Sequence, residues 1–305
     1  MPDIEKFFNK HRLILFLKGM AMGAADTVPG VSGGTIAFIT NIYEELIFSI
    51  QACNLQALKI LHKQGMKAAW KHINGNFLLT LFCGILSAAF ILANVVGFLL
   101  DNLEVYVMAF FIGLILASSL FLRKHVLLWS WQRALLLLAG LVFAVSLNLV
   151  PESNYEGSLW FLFVCGAIAI CAMILPGISG AFILVLLGAY ERVLDAVREF
   201  DFAVLLLFMA GCVVGLITFS NILAYLLKHK HEATLAFLLG ILLGSLYTIW
   251  PFHLLNEAMG AGFWIKFSAL VLVGFFLVYF LEKFGETNEQ ATKQLHLQTK
   301  INEHK

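Results

Sequence analysis

Residues 29–35 (PGVSGGT) are nearly repeated at residues 176–182 (PGISGAF). In each copy a Tyr-Glu pair begins 14 residues after the proline, at Tyr43 and at Tyr190, so the two copies are in register. Apolar stretches flank both copies, and Pro-Gly backbone is tolerated inside a bilayer only where it lines a cavity or is buried in protein. A matched pair of such interrupted segments is typical of the binding site of a membrane transporter.

The composition indicates a polytopic membrane protein. Of the 305 residues, 61% are hydrophobic and 13% are charged, and the mean hydropathy of +0.89 is far from that of a soluble domain. The net charge of +1 implies no nucleic-acid partner. The cysteines lack CxxC spacing, no histidine occupies the middle of a long apolar stretch, and no GxxxxGK[ST] phrase occurs. We therefore expect no metal, no cofactor and no ATPase activity.

Six apolar stretches approach the roughly 20 residues that a crossing helix needs. They are residues 77–100, 105–122, 134–150, 202–227, 233–250 and 263–281. Shorter apolar arms flank the two motifs, at 13–28 and 36–43 and at 159–175 and 178–190. Each arm is short for a full crossing, so we predict two re-entrant helical hairpins with the Pro-Gly phrase near the turn. Two ordinary hairpins of full spans are the alternative.

The distribution of basic residues predicts the orientation, because Lys and Arg in short loops mark the cytoplasmic side. If each hairpin returns to its own side, only Arg192, Arg198 and Lys266 of the 20 basic residues fall outside the cytoplasmic segments. We therefore predict a multi-pass protein of the cytoplasmic (inner) membrane with both termini in the cytoplasm.

The duplication extends beyond the motif. An offset of 127 residues aligns Gly84 with Gly211 and Gly113 with Gly240, whereas the motifs differ by 147. Two repeats of five helical elements follow, residues 1–150 (with the first hairpin at 13–50) and residues 158–282. A hairpin plus three spans crosses an odd number of times, so the second repeat is predicted to be inverted, as in many secondary transporters. The fold class is all-α.

About 20 extra residues in the first repeat lie between 52 and 74. They contain Lys59, Lys63, Lys67 and Lys71, and this spacing of four predicts one basic helical face. Either an interfacial helix attracted to anionic membrane lipids or a solvated cytoplasmic connector fits the pattern. The polar tail at 283–305 indicates no function.

Helices that begin inside the membrane present unpaired N–H groups and the positive end of the helix dipole, where phosphate or carboxylate binds. The two hairpin tips are therefore the predicted substrate site, with Ser32 and Ser179 brought together by the pseudo-twofold axis. The predicted binding residues are Asp26, Pro29, Gly30, Ser32, Gly33, Gly34 and Thr35 in the first copy and Pro176, Gly177, Ser179 and Gly180 in the second.

Carboxylates within a membrane are costly and are presumed functional. Asp26 precedes Pro29 by three residues, and Met173 occupies the matching position in the second copy. Asp26 is therefore the candidate for proton or cation coupling. Glu44, Glu191 and Arg192 are accessory candidates, for which an interfacial structural role fits as well.

Residues 19–38 (GMAMGAADTVPGVSGGTIAF) and 174–191 (ILPGISGAFILVLLGAYE) resemble the two signature regions of the bacterial polyprenyl-phosphate transporter family. The resemblance covers about residues 11–282. It implies a flippase, not an enzyme, that returns undecaprenyl phosphate, the lipid carrier of cell-wall precursors, to the cytoplasmic leaflet. The Pro-Gly-x-Ser-Gly tips and Asp26 carry over from the family.

Two other functions remain open on the sequence. Membrane undecaprenyl-pyrophosphate phosphatases have a related Pro-Gly-x-Ser phrase, but an arginine follows that serine, whereas Gly33 and Gly180 follow it here. Without the arginine, the site lacks an evident group to stabilise a transferring phosphoryl. A transporter of small anions or organic acids is the second alternative. The sequence indicates neither an oligomeric state nor a coupling ion.

Overall fold

The computed structural model describes residues 2–26, 32–127, 129–150, 159–251 and 260–280. These residues form helices and turns, without strands, so the all-α prediction is confirmed. In chain order the helices are α1 (Pro2–Asp26), α2 (Gly33–Ile39), α3 (Tyr43–Ala52), α4 (Leu55–Gln64), α5 (Met66–His72), α6 (Gly75–His125), α7 (Trp131–Leu147), α8 (Leu159–Ile174), α9 (Gly180–Leu186), α10 (Tyr190–Glu199), α11 (Phe202–His229), α12 (His231–Ile249) and α13 (Ala261–Phe280).

Four helical segments of the described chain are long and apolar enough to cross a membrane. They are Asn102–His125, Phe202–His229, His231–Ile249 and Ala261–Phe280. The other two predicted spans correspond to shorter apolar helices, α7 with 17 residues and the Gly75–Ala88 part of α6. The spans predicted at 77–100 and 105–122 belong to one helix, interrupted at Leu103 (φ −138°, ψ 27°). This architecture is consistent with a polytopic membrane protein.

The repeated motifs give repeated local structure. Ser32 and Ser179 each accept a hydrogen bond from a backbone N–H of the helix that follows, which is the usual chemistry of a helix N-cap. The capped helices α2 and α9 are seven residues long. Each ends in a short turn, with φ 56° at Asn41 and φ 67° at Gly188. The ten-residue helices α3 and α10 then begin at the repeated tyrosines.

Close glycine contacts between helices also recur. Gly84 of α6 packs on the carbonyl oxygen of Phe16 in α1, and Gly211 of α11 packs on that of Phe163 in α8. A Cβ at either glycine would collide with that oxygen. The two glycines are 127 positions apart in the sequence and the two phenylalanines are 147 positions apart. These distances are the two offsets of the sequence repeat. The same pair of helices therefore packs in the same register in each half.

Helices of the first half (residues 1–150) pack on helices of the second half (residues 158–282). Gly113 of α6 packs on the backbone of Val271 in α13, and Gly240 of α12 packs on that of Leu137 in α7. Each half thus contributes a helix that packs on the last helix of the other half. The largest buried apolar cluster accordingly draws residues from both halves. The inversion of the second half across a membrane stays a prediction.

The lysine-rich segment differs from its prediction. Gly65 (φ 84°, ψ 176°) separates α4 from α5, and such a positive φ favours glycine. Lys59 and Lys63 therefore lie on α4, and Lys67 and Lys71 lie on α5. The prediction of one continuous basic helical face is wrong, because spacing of four in sequence does not reveal a break in the helix. The tail at 283–305 lies outside the described residues.

Candidate functional site

The described parts of the two motif regions, residues 32–35 and 173–180 (called here the tips), contact each other through Ser32. This side chain is 1% exposed. Its Oγ accepts from the Gly34 N–H (3.1 Å) and donates to the carbonyl oxygen of Met173 (3.0 Å), with that of Leu175 at 3.4 Å. A serine hydroxyl has a single proton to donate, and here it is directed to the C-terminal end of α8. Ser32 therefore joins the start of α2 to the end of α8.

Thr35 provides a second link between the tips. Its Oγ1 accepts a hydrogen bond from the Gly177 N–H at 2.8 Å, and the threonine is 1% exposed. Gly177 has a φ of 88°, and a Cβ there would lie 2.9 Å from the Ser245 side chain. Glycine at 177 is required both by the left-handed backbone and by the closeness of α12.

Replacement of Thr35 by valine tests this link. Valine preserves the shape but leaves the buried Gly177 N–H without its acceptor, which we expect to lower the free energy of unfolding by about 1–3 kcal/mol. Thermal unfolding of the purified protein in detergent measures the change. Thr35→Ser keeps the oxygen and is the control. Equal stability of the valine and serine variants would contradict the assignment.

The N-terminus of α2 already holds a carboxylate. Oδ1 of Asp26 accepts a hydrogen bond from the Gly33 N–H at 2.6 Å. A Cβ at Gly33 would lie 2.6 Å from the other carboxylate oxygen, so only glycine lets Asp26 approach this closely. The carboxylate satisfies one of the unpaired N–H groups at the helix start and complements the helix dipole.

The second tip is built differently. Met173 replaces Asp26, and Ser179 accepts from the Phe182 N–H at 3.4 Å. Ser179 borders a cavity of about 10 Å³ that Asn148 and Thr248 also line. This volume is close to the minimum that holds one water.

Asn148 and Thr248 were not identified from the sequence. Nδ2 of Asn148 donates to Oγ1 of Thr248 at 2.9 Å and to the Ala144 carbonyl oxygen at 3.1 Å. The sequence feature that could have indicated them is that both are polar residues at the C-terminal ends of apolar helices, α7 and α12. The polar groups near Ser179 therefore come from three separate segments.

The accessory candidates have partners outside the tips. Glu44 lies 2.6 Å from Nε2 of His231, at the start of α12. Arg192 pairs with Asp201 at 3.0 Å, and Asp201 in turn caps α11. Glu191 is exposed. The structure thus provides structural partners for Glu44 and Arg192.

Among the other predicted site residues, Pro176 is buried beside Gly177. Gly180 packs near α8, since a Cβ there would lie 2.9 Å from the Ala169 carbonyl oxygen. Pro29 and Gly30 lie outside the described residues.

A family model described as undecaprenyl phosphate translocase-like matches residues 22–262, which include both tips. The chain belongs to this family. The resemblance seen in the paired motifs is thus confirmed.

Two curated relatives are similar over most of the chain. A polyprenyl-phosphate transporter of Vibrio cholerae serotype O1 is 48% identical over 239 residues, 78% of this chain and 78% of its own. A polyprenyl-phosphate transporter of Staphylococcus aureus is 31% identical over 299 residues, 92% of this chain and all of its own. No solved structure matches the chain.

Proposed function

We propose that this protein carries undecaprenyl phosphate, or a related polyprenyl phosphate, from the outer to the cytoplasmic leaflet of the inner membrane, so that the lipid carrier is reused in cell-wall synthesis. The observation that carries the proposal is the contact between two capped Pro-Gly tips within an apolar helical protein of this family. The names of the two relatives support the substrate class. The direction and the choice of undecaprenyl phosphate follow from the family resemblance.

The proposed architecture is an inverted repeat with two re-entrant hairpins and cytoplasmic termini. The recurrence of glycine contacts at the two sequence offsets supports the repeat. The seven-residue helices α2 and α9 each rise about 10 Å, a third of the roughly 30 Å hydrocarbon core. Helices of this length fit the return arms of re-entrant hairpins better than full spans.

In the proposed mechanism the phosphate group binds between the tips. On the side of the second tip, the Ser179 hydroxyl, the Asn148 amide and the Thr248 hydroxyl border the cavity and supply polar partners. A phosphate is larger than the roughly 10 Å³ available, so the tips must separate to admit it. Separation breaks the hydrogen bonds of Ser32 and Thr35 to the second hairpin, and these bonds hold the site closed.

Asp26 is the proposed coupling group. Its carboxylate accepts the hydrogen bond of the Gly33 N–H at the start of α2. Without Asp26, this N–H would be available to the phosphate. Two anions do not share this position favourably, since like charges repel strongly in a low-dielectric interior. Protonation of Asp26, or a cation bound beside it, removes the competition. Binding of the phosphate is thereby linked to uptake of a proton or cation.

A transporter of small anions is the second candidate, because the starts of α2 and α9 would attract a small anion in the same way. Its substrate would need no lateral opening for a prenyl chain. The phosphatase alternative has less support, since Gly33 and Gly180 follow the two serines. The assay below separates the three functions.

The test follows movement of undecaprenyl phosphate between the leaflets of liposomes containing the purified full-length protein, with released inorganic phosphate measured in parallel. We expect Ser32→Ala/Ser179→Ala to slow movement about ten-fold or more, because both hydroxyls can donate to the phosphate once the tips separate, and a hydrogen bond to a charged group is worth roughly 1.5–3 kcal/mol. Ser49→Ala removes a buried serine hydroxyl from α3 and serves as the control.

Each outcome of this assay identifies one function. Movement without phosphate release, lost in the double variant, supports the lipid carrier. Release of phosphate from undecaprenyl pyrophosphate would identify an enzyme. Flux of a small anion without lipid movement would favour the second candidate.

A further inference from the structure

The paired helices α4 and α5 present a surface that is both apolar and basic, called here the α4–α5 surface. No residue of α4 is buried, and Leu55 and Met66 are 77% and 68% exposed. Leu58, Leu61 and Trp70 are exposed as well. An isolated ten-residue helix is marginal in water. Since no residue of α4 is fully buried against the described protein, its exposed apolar side chains need another environment.

The lysines give the segment that contains α4 and α5 a positive charge. Residues 52–74 contain four lysines and no aspartate or glutamate, in a chain whose net charge is only +1. An acidic residue of α3, Glu45, contacts the end of the segment, where its Oε1 accepts from Nδ2 of Asn74 at 2.8 Å. The segment is therefore a local concentration of positive charge next to exposed apolar groups.

A surface cavity of about 340 Å³ lies where α5 meets α6, lined by Lys67, Trp70, Lys71, Asn74, Gly75 and Asn76. Nε1 of Trp70 donates to Oδ1 of Asn76 at 3.0 Å. The indole ring lies against Gly75, where any Cβ would collide with it. The two lysines stand beside the positive end of the α6 dipole, and Asn74 provides no side-chain cap there.

We propose that the α4–α5 surface binds anionic phospholipids, with one headgroup in the cavity between Lys67 and Lys71 and the exposed leucines and Met66 among the acyl chains. Trp70 takes the interfacial position that tryptophan favours in membrane proteins. The apolar part of α6 starts two residues after Gly75, so α6 would enter the membrane next to the cavity and would place the cavity at the membrane surface. This inference is independent of the transported substrate.

The test measures thermal stabilisation of the full-length protein in detergent by phosphatidylglycerol and by phosphatidylcholine. Each lysine near an anionic surface is worth roughly a five-fold gain in affinity. We therefore expect Lys67→Gln/Lys71→Gln to weaken the response to phosphatidylglycerol about 25-fold. Lys228→Gln/Lys230→Gln removes two exposed lysines at the end of α11 and should respond like the unmodified protein.

Unfolding without added lipid and gel filtration check that the variants fold. If Lys67→Gln/Lys71→Gln is itself unstable, the α4 variant Lys59→Gln/Lys63→Gln is tested in its place. We expect this variant also to respond more weakly to phosphatidylglycerol. An unchanged response in the lysine variants, or equal stabilisation by the two lipids, would overturn the proposal. So would displacement of phosphatidylglycerol by undecaprenyl phosphate or by polyglutamate, which would indicate a substrate-entry or a protein-docking site.

Discussion

Gly34→Ala is expected to abolish transport and to destabilise the fold. A Cβ at Gly34 would lie 2.6 Å from the carbonyl oxygen of Ile174 and 3.1 Å from that of Met173. Both atoms belong to the backbone at the end of α8, which a rotamer change does not relieve. The added methyl therefore forces the tips apart and strains the Ser32–Met173 hydrogen bond. Overpacking of this kind costs about 1–3 kcal/mol, and loss of the hydrogen bond adds to that cost.

The second repeat supplies the control for this substitution. Ala181 occupies the position that corresponds to Gly34 and is exposed, so Ala181→Val should change stability by no more than about 0.5 kcal/mol. Thermal unfolding in detergent and lipid movement in liposomes measure both variants. A Gly34→Ala protein that unfolds and transports like the unmodified one would show that close contact between Gly34 and the end of α8 is needed for neither stability nor transport.

The sequence predicted that a helix starts within each motif because the determinants are local. A serine before a helix start supplies the N-cap, and the corresponding serine of the related phrase 147 positions later does the same. All-helical structure and the resemblance to the family were also predictable, from apolar composition and from the paired motifs.

The specific hydrogen-bond partners of residues that are distant in sequence were not predictable. The hydrogen bonds of Ser32 to Met173 and of Gly177 to Thr35 join residues more than 140 positions apart. Asn148 and Thr248 meet only because α7 packs on α12. The break at Gly65 was missed for another reason, since the regular lysine spacing continues across it. A regular spacing of residues shows which face of a helix they would share. It does not show that one residue between them has a positive φ and ends the helix.

Asp26→Asn is expected to uncouple transport from the proton while leaving the fold intact. Asparagine keeps an oxygen that accepts from the Gly33 N–H, so the start of α2 stays capped, but the negative charge that competes with the phosphate is gone. If Asp26 carries the coupling proton, the variant binds the substrate without taking up a proton. Accumulation driven by a pH gradient should then be lost, and exchange down the lipid gradient should continue.

The measurement is lipid movement in liposomes with and without an imposed pH gradient, for Asp26→Asn and for Asp201→Asn. Asp201 is the matched control because it also caps a helix N-terminus, that of α11, and its ion pair with Arg192 lies outside the tips. The ion pair is partly exposed and contributes little, so Asp201→Asn should keep the response to pH. Full activity of Asp26→Asn with an unchanged response to the gradient would assign Asp26 to helix capping alone. The coupling group would then have to be sought outside the first tip, where the carboxylates of Glu44 and Glu191 stand at the starts of α3 and α10.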